Sequence, residues 1–533
     1  MTDTAAHQTK ETLTSIMIAF VLAFVFRGFV LEAFIIPTGS MGPTLMGQHI
    51  RWQSDATGYN WVTGPWFLAP NKVAVHPQRD PAGRSLLEVH DPMSHQQLTA
   101  TKKPKKAGDR LFILKYLHPL FNPSRFDVVV FKNPTSPSEN YIKRLTGLPG
   151  EEIALVDGDV FHRDVETVVP DGVNSWSLDD WEIARKPERV QRELWRPVFD
   201  TWYTPRDAAM TRFDPPWQGE GEGWDDGWTR TYTYDNDRPT LLRWMNDRRG
   251  EPWWVTDRTA YNESRLYGPR LHLAEDPFPV SDIRIRGQIE AGGDGLSIQP
   301  LVRTRHHEFR ATIADTRVAV EMRPEDGEWT TLDDASFDGL ANGGRLRFEF
   351  WHVDQALWLF IDDRLVAGGP DDGAYDWLPR QRLEHALDLV VPERLDDWRE
   401  DLTMTSLYSR PAIEVAFEGA PFIIHRIALD RDIHYTPSVS YERGRVPGFA
   451  THPAWPARLD GDEFFMCGDN SPNSTDARTW GTHDPWVRET LDEKQGVVNR
   501  DLIIGKAFFV YFPSVHKERG IPAPDFGRLR WIW

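Results

Sequence analysis

Ser40 lies in FIIPTGSMGPTL, a short apolar run that ends in a Gly/Pro turn, with Gly39 before it and Met41 after it. A serine hydroxyl is a poor nucleophile until a base takes its proton. That base can be a histidine, or equally a lysine kept neutral by desolvation, which gives a Ser-Lys pair. Lys143, in YIKRLTGLPGE, stands in a β-type run among Tyr141, Ile142 and Leu145. Burial there would lower its pKa toward that of a working base. Pattern alone gives the opposite default, since lysines are mostly solvent-facing.

The other reactive residue types carry less. Cys467, just before the turn GDN, reads as a small buried residue. His306, His307, His352 and His425 show no metal-ligand spacing. Asp362–Asp363 and Asp371–Asp372 read as turn aspartates rather than a calcium site.

The elements that must position Ser40 and Lys143 are strands. GDRLFILKYL, RFDVVVFKNP, ENYIKRLTGLPGEEI and ALVDGDVF, between residues 108 and 161, each read as a strand closed by Gly, Pro or Asp turns. Leu148-Pro149-Gly150 reads as a tight turn, with Pro at its first corner and Gly supplying a positive φ. KPERVQRELW, with Pro187 near its first turn, predicts a short helix.

From about 212 to 436 the pattern changes to a series of alternating strands. Leu346, Phe348 and Phe350 share one face, as do Leu357, Leu359 and Ile361, with a hairpin near Asp354-Gln355. This predicts an antiparallel β-sandwich, similar at the level of pattern to concanavalin-like or laminin G-like domains. Short motifs return at 460–481 and 502–513, so the sandwich reads as an insertion into a second domain, which costs little if its ends lie close together.

A chain of 533 residues exceeds one ordinary core, and 26% charged with 40% hydrophobic residues is globular. The formal net charge of −19, with no basic stripe, argues against nucleic-acid binding. The 23 tryptophans fit β-structure, and one cysteine excludes an intrachain disulfide. Leu13 to Phe26 is apolar apart from Thr14 and Ser15, but fourteen residues fall short of the ~20 a span needs. Continuing through Phe34 reaches that length, with Arg27 and Glu32 placed near the interface. A removed signal peptide is the rival. The weak basic character before the run, and the absence of a small-x-small site after it, favour an uncleaved anchor. The flanking charges leave orientation open.

Five segments, in order, resemble the boxes of type I signal peptidases, the leader peptidase family. IIPTGSMGPTL resembles the nucleophile box, GDRLFILKY with RFDVVVFKNP the boxes that follow, and YIKRLTGLPGE the lysine box. GDNSPNSTDARTWG resembles the last box, and IIGKAFFVYFP is similar to the family's final strand. The resemblance implies an all-β catalytic core, with Ser40 as nucleophile and Lys143 as general base. Thr38 then assists the Ser40 N–H in binding the oxyanion, and Ser474 orients the lysine. Met41, Asp469, Asn470, Asp476 and Arg478 support the site. Ser471 and Ala477 depart from the residues common at their positions.

The resulting expectation is an all-β, signal-peptidase-like barrel carrying an inserted β-sandwich, with one N-terminal transmembrane helix. Its divisions are a tail (1–11), an anchor (12–34), a core (35–45, 108–165 and 437–515), a polar insertion (46–107), a connecting segment (166–211), the sandwich (212–436) and a C-terminal tail (516–533). The function implied is a membrane-bound serine endopeptidase that removes signal peptides from exported preproteins after small residues (A-x-A). No cofactor or metal is implied. The expected place is the inner membrane of a bacterium, single-pass, with the catalytic domain outside the cytoplasm. Its partners would be preproteins and membrane lipid, with an unknown ligand for the sandwich. The alternative is a membrane-tethered binding protein, whose sandwich recognises a glycan or envelope partner while the peptidase core is vestigial.

Overall fold

The computed structural model describes every residue except 1, 66–77, 80–84, 101–102, 116–121, 208–212, 226–229, 249–250, 264–276, 338, 341–343, 515, 519–520, 524 and 533. Its elements are predominantly β, and the strand pairs are antiparallel.

One sheet carries Lys143 and leads into Ser40. Its labelled strands are β1 (Leu31–Ile35), β2 (Arg110–Lys115), β3 (Val128–Asn133), β4 (Ser136–Gly147), β5 (Glu463–Cys467) and β6 (Ile503–Phe512). They pair in the order β1-β2-β6-β3-β4-β5, followed by the short strand Val498–Asn499. Alternation decides what each face does. Val128, Val130 and Ile142 pack on one side with Met41, Leu45, Leu111 and Ile113. Val129, Phe131 and Leu145 pack on the other with Ile153, Phe465, Met466 and Trp480. With both faces covered, Val128 to Phe131 is a continuous apolar run with no polar alternation. In β4, Lys143 stands opposite Val129 and Arg144 opposite Val128. Gly150 takes φ 83° in the turn after β4, the conformation expected of a glycine behind Pro149.

Two further sheets face each other across a single large core. The first contains Phe422–Arg431, Ile283–Ala291, Arg345–Val353 and Ala356–Ile361, and the second Ala412–Glu418, Ser297–Thr304, His307–Ile313 and Arg317–Pro324. Ile283, Ile285 and Ile289 from the first sheet meet Ile298, Val302 and Phe309 from the second. The hairpin at Asp354-Gln355 is present, with both residues at positive φ and Val353 paired to Ala356. Glu188–Leu194 is helical, with Pro187 as its N-cap.

Three expectations change. Arg196–Asp200, placed by sequence in the connecting segment, pairs with Phe422–Arg431 and so extends the first sandwich sheet. In the C-terminal tail, Arg530–Trp531 pairs with β6 and Ile532 is buried in the core beside Met41. The anchor expected over 12–34 is divided between two elements. Helix α1 (Thr2–Phe29) stops before residues 31–35, which form β1 and pair with β2. The apolar stretch Leu13–Phe26 then rises only about 21 Å, against a hydrocarbon thickness of about 30 Å. Among the described residues no helix is long and apolar enough to cross a membrane. Leu13, Ile16, Met17, Ile18, Phe20, Val21, Leu22, Phe24 and Val25 are nevertheless 47% to 68% exposed.

Candidate active site

β1 delivers the chain to Ser40. Ile36 is buried in the core below, and the Gly42 N–H donates to the Gly39 carbonyl at 2.9 Å, closing a turn around Ser40 and Met41. Met41 is fully buried, and its Sδ accepts the Asp469 N–H at 3.5 Å. Gly39 is required by a close approach: a Cβ there would lie 2.2 Å from Cε1 of Tyr261, whose ring lies against the turn.

Lys143 meets this turn from β4. Its Nζ donates to the Ser40 Oγ at 2.6 Å. The lysine is 3% exposed, against the solvent-facing default for a strand lysine. Burial brings its pKa down to about 8, with Asp476 pulling partly the other way. The Tyr141 ring lies 5.2 Å from Nζ and forms an apolar wall beside the amine.

The segment 468–480 braces both groups. Arg144, next to Lys143, holds Asp469 in a bidentate pair at 2.8 Å and 2.8 Å, both side chains fully buried. Burial alone would raise the Asp469 carboxyl; Arg144 outweighs it and holds the group below the usual carboxylate range. Asp476 and Arg478 form a second bidentate pair with the same balance, and Asp476 also accepts the Gly468 N–H at 2.9 Å. Arg478 reaches on to the Ser471 Oγ at 2.7 Å and the Thr436 carbonyl at 3.0 Å. Ser471, read from sequence as a departure from the residue common at its position, therefore helps hold the second pair. Asn470 donates its backbone N–H to the Ser40 carbonyl at 3.0 Å and its Nδ2 to the Gly39 carbonyl at 2.8 Å.

Eight of the nine residues singled out from sequence thus converge: Ser40, Met41, Lys143, Asp469, Asn470, Ser474, Asp476 and Arg478. A Cβ on Gly468 would lie 2.2 Å from the Ser474 Oγ and 2.5 Å from the Ser40 carbonyl, which puts Ser474 next to the Ser40 turn. The Ser474 Oγ is buried without a hydrogen-bond partner, so the bond expected from it to Lys143 is not formed. Thr38 is exposed, two residues before Ser40.

Sequence reasoning missed four contributors. Arg144 was legible in principle, since a buried aspartate beside the Ser40 turn demands a cation. Gly468 carried a weaker signal as the residue before Asp469. Tyr261 and Asn262 carried none, because they belong to the inserted region. Asn262 exchanges amide hydrogen bonds with Asn470 at 2.7 Å and 2.9 Å and accepts from the Asn473 Nδ2 at 3.1 Å.

Away from this site, carboxyl oxygens of Asp159, Asp282 and Asp354 converge. Arg382 bonds Asp159 and Asp282, Arg305 bonds Asp157 and Asp282, and Lys186 pairs with Asp354 and Asp432. The cluster is a buried ion-pair network joining the Asp157–Asp159 turn to the sandwich. His352 is likewise satisfied inside, bonded to the Ser281 carbonyl and the Tyr375 hydroxyl.

Residues 9–170 and 434–512 match the model of the family described as signal peptidase, peptidase S26. Signal peptidase I of Buchnera aphidicola subsp. Acyrthosiphon pisum is 29% identical over 144 residues, covering 27% of this chain and 30% of that protein. Signal peptidase I of Pseudomonas aeruginosa is 26% identical over 184 residues, covering 33% and 47%. The alignments span less than half the length of these curated relatives. Among solved structures, carbohydrate binding module CBM66 from Bacillus subtilis is 10% identical over 40% of this chain and 95% of that one, at a TM-score of 0.22, a likeness too slight to carry an argument. Over the two matched segments, which hold Ser40, Lys143 and the 468–480 turn, the chain is similar to the signal peptidase family, peptidase S26.

Proposed function

We propose that this chain is a membrane-attached serine endopeptidase that removes signal peptides from exported preproteins by a Ser40–Lys143 dyad. The observation that carries the proposal is the 2.6 Å hydrogen bond between Nζ and Oγ, made by a lysine whose burial brings its pKa to about 8. A lysine so placed is neutral in a useful fraction of molecules near neutral pH, which a solvated lysine is not.

In the reaction, neutral Lys143 takes the Ser40 proton as Oγ attacks the scissile carbonyl. The Ser40 N–H, assisted by the Thr38 hydroxyl, stabilises the oxyanion; donors of this kind typically lower a barrier by about 3 kcal/mol. The lysine then gives its proton to the leaving amine. Water, deprotonated by the same amine, releases the acyl group from Ser40. Ser474, with its unengaged buried hydroxyl, is the group available to orient the Lys143 amine once substrate is bound.

Several features fit this substrate. Among the described residues β1 is the outer strand of its sheet and runs directly into the Ser40 turn, so an extended polypeptide could pair along its edge. Cleavage after small residues, the A-x-A pattern, is the specificity the family carries. The exposed apolar side chains of α1 are the surface that meets lipid, holding the site at the outer face of a bacterial inner membrane. The test is incubation of the detergent-solubilised full chain with a model preprotein bearing an A-x-A site, with mass spectrometry of the products. A single cut after the second small residue is expected, and an intact preprotein in the presence of folded enzyme contradicts the proposal.

A further inference from the structure

Tyr261 and Asn262 end a 3-10 turn (Ala260–Asn262) in the inserted region, outside both segments matched by the family model. The turn is held firmly. The Thr259 side chain caps it, the Asn262 N–H bonds the Thr259 carbonyl at 2.9 Å, and the Tyr261 carbonyl accepts the Gly64 N–H at 2.7 Å. The Tyr261 hydroxyl donates to the Gln48 carbonyl at 3.1 Å, fixing the ring against Gly39 and Gly42.

From this platform the Asn262 amide faces that of Asn470. The two form a reciprocal pair, Asn262 Nδ2 to Asn470 Oδ1 at 2.7 Å and Asn470 Nδ2 to Asn262 Oδ1 at 2.9 Å. The remaining Nδ2 hydrogen of Asn470 goes to the Gly39 carbonyl at 2.8 Å. A carbonyl can only accept, so Asn470 must present its NH2 side to Gly39. The donation from Asn262 to the Asn470 Oδ1 holds the amide in that orientation.

The Gly39 carbonyl and the Ser40 N–H belong to one peptide plane. That peptide is trans, since Gly42–Pro43 is the cis bond found among the described residues. In a trans peptide the C=O and N–H point in opposite directions. Whatever holds the Gly39 oxygen therefore aims the Ser40 N–H. We propose that Asn262 is a positioning residue for catalysis, which acts through Asn470 and the Gly39 carbonyl to aim the Ser40 N–H at the oxyanion. The inserted region thereby completes the peptidase site. This rests on the assignment of Ser40 as the nucleophile.

The test compares full-length wild type with Asn262→Ala, Asn262→Asp, Asn470→Ala and the double variant, on the preprotein substrate with kcat and KM resolved. Asn262→Ala is expected to lower kcat by about tenfold or more, since small misplacements of a donor are costly, with KM within about twofold. The pH midpoint set by Lys143 should not move. The double variant should be no slower than Asn470→Ala, because both substitutions break one chain of contacts. The carboxylate introduced by Asn262→Asp can accept from Asn470 and Asn473 but cannot donate to the Asn470 Oδ1. That variant should therefore fall between wild type and Asn262→Ala, and it decides the matter if the alanine variant does not fold. An unchanged kcat in both Asn262 variants, or losses that multiply in the double variant, would overturn the inference while leaving the dyad intact. A wild type that cleaves nothing overturns the assignment beneath it, and the inference with it.

Discussion

Lys143 and Ser40 are separated by 103 positions in the chain, yet the Nζ of one lies 2.6 Å from the Oγ of the other. The approach depends on β4 carrying Lys143 into the sheet interior while β1 delivers Ser40 on a turn pinned by Asn470. The amine sits beside the Tyr141 ring, and Asp476, the carboxylate that attracts it most, is already paired with Arg478. Desolvation therefore outweighs attraction, and the lysine pKa falls to about 8.

The first expectation is a pH profile. A base must be neutral to act, so kcat/KM should rise with pH through a midpoint near 8 and level off above it. A profile still rising steeply at about pH 10 would mean that Lys143 titrates like a solvated lysine.

The Arg144–Asp469 pair should behave as a buried pair does when broken. Arg144→Ala leaves the Asp469 carboxylate unmatched and should cost about 3–5 kcal/mol in denaturant-induced unfolding. Asp469 and Asp476 both have folded-state pKa values below those of unfolded carboxylates. Their contribution to stability is complete above the ordinary carboxylate range and lost as pH falls through the lower folded values. Wild type should therefore lose stability on acidification in that window, and Asp469→Asn should show a smaller loss.

Gly39→Ala should slow the enzyme through Tyr261. The new Cβ would lie 2.2 Å from the ring, which Gln48 holds in place. Adding Tyr261→Ala should recover part of the lost kcat, and no recovery would show that the strain lies elsewhere.

Arg382→Ala should loosen the junction between the peptidase core and the sandwich. It removes the cation bonded to Asp159 and one of the two arginines bonded to Asp157 and Asp282, all buried. A loss of about 3–5 kcal/mol is expected, read as a lower unfolding midpoint. Arg382→Lys should recover little, since one ammonium cannot reproduce the guanidinium fork.

How far the sequence carries differs from residue to residue. Ser40, Lys143 and the 468–480 turn were singled out through their resemblance to the boxes of a known family, since pattern alone reads a strand lysine as solvent-facing. The Asp354-Gln355 hairpin was legible from the alternation of the two strands it joins. The Asn262–Asn470 pair was not, since 208 positions separate its members and nothing local marks either as a partner. The buried ion network of Asp157, Asp159, Asp282 and Asp354 was not legible, because burial of a charge is decided by the partner that meets it. The N-terminal apolar run misled through its composition: residues 31–35 are apolar enough for a membrane helix, but pairing with β2 makes them a strand.

The dyad is tested most directly by cleavage of an A-x-A preprotein by wild type, Ser40→Ala and Lys143→Ala, each shown to be folded by its unfolding midpoint. Processing by wild type at the expected bond, with both variants reduced by at least about a thousandfold, is the predicted result. Undiminished cleavage by either folded variant would contradict the account.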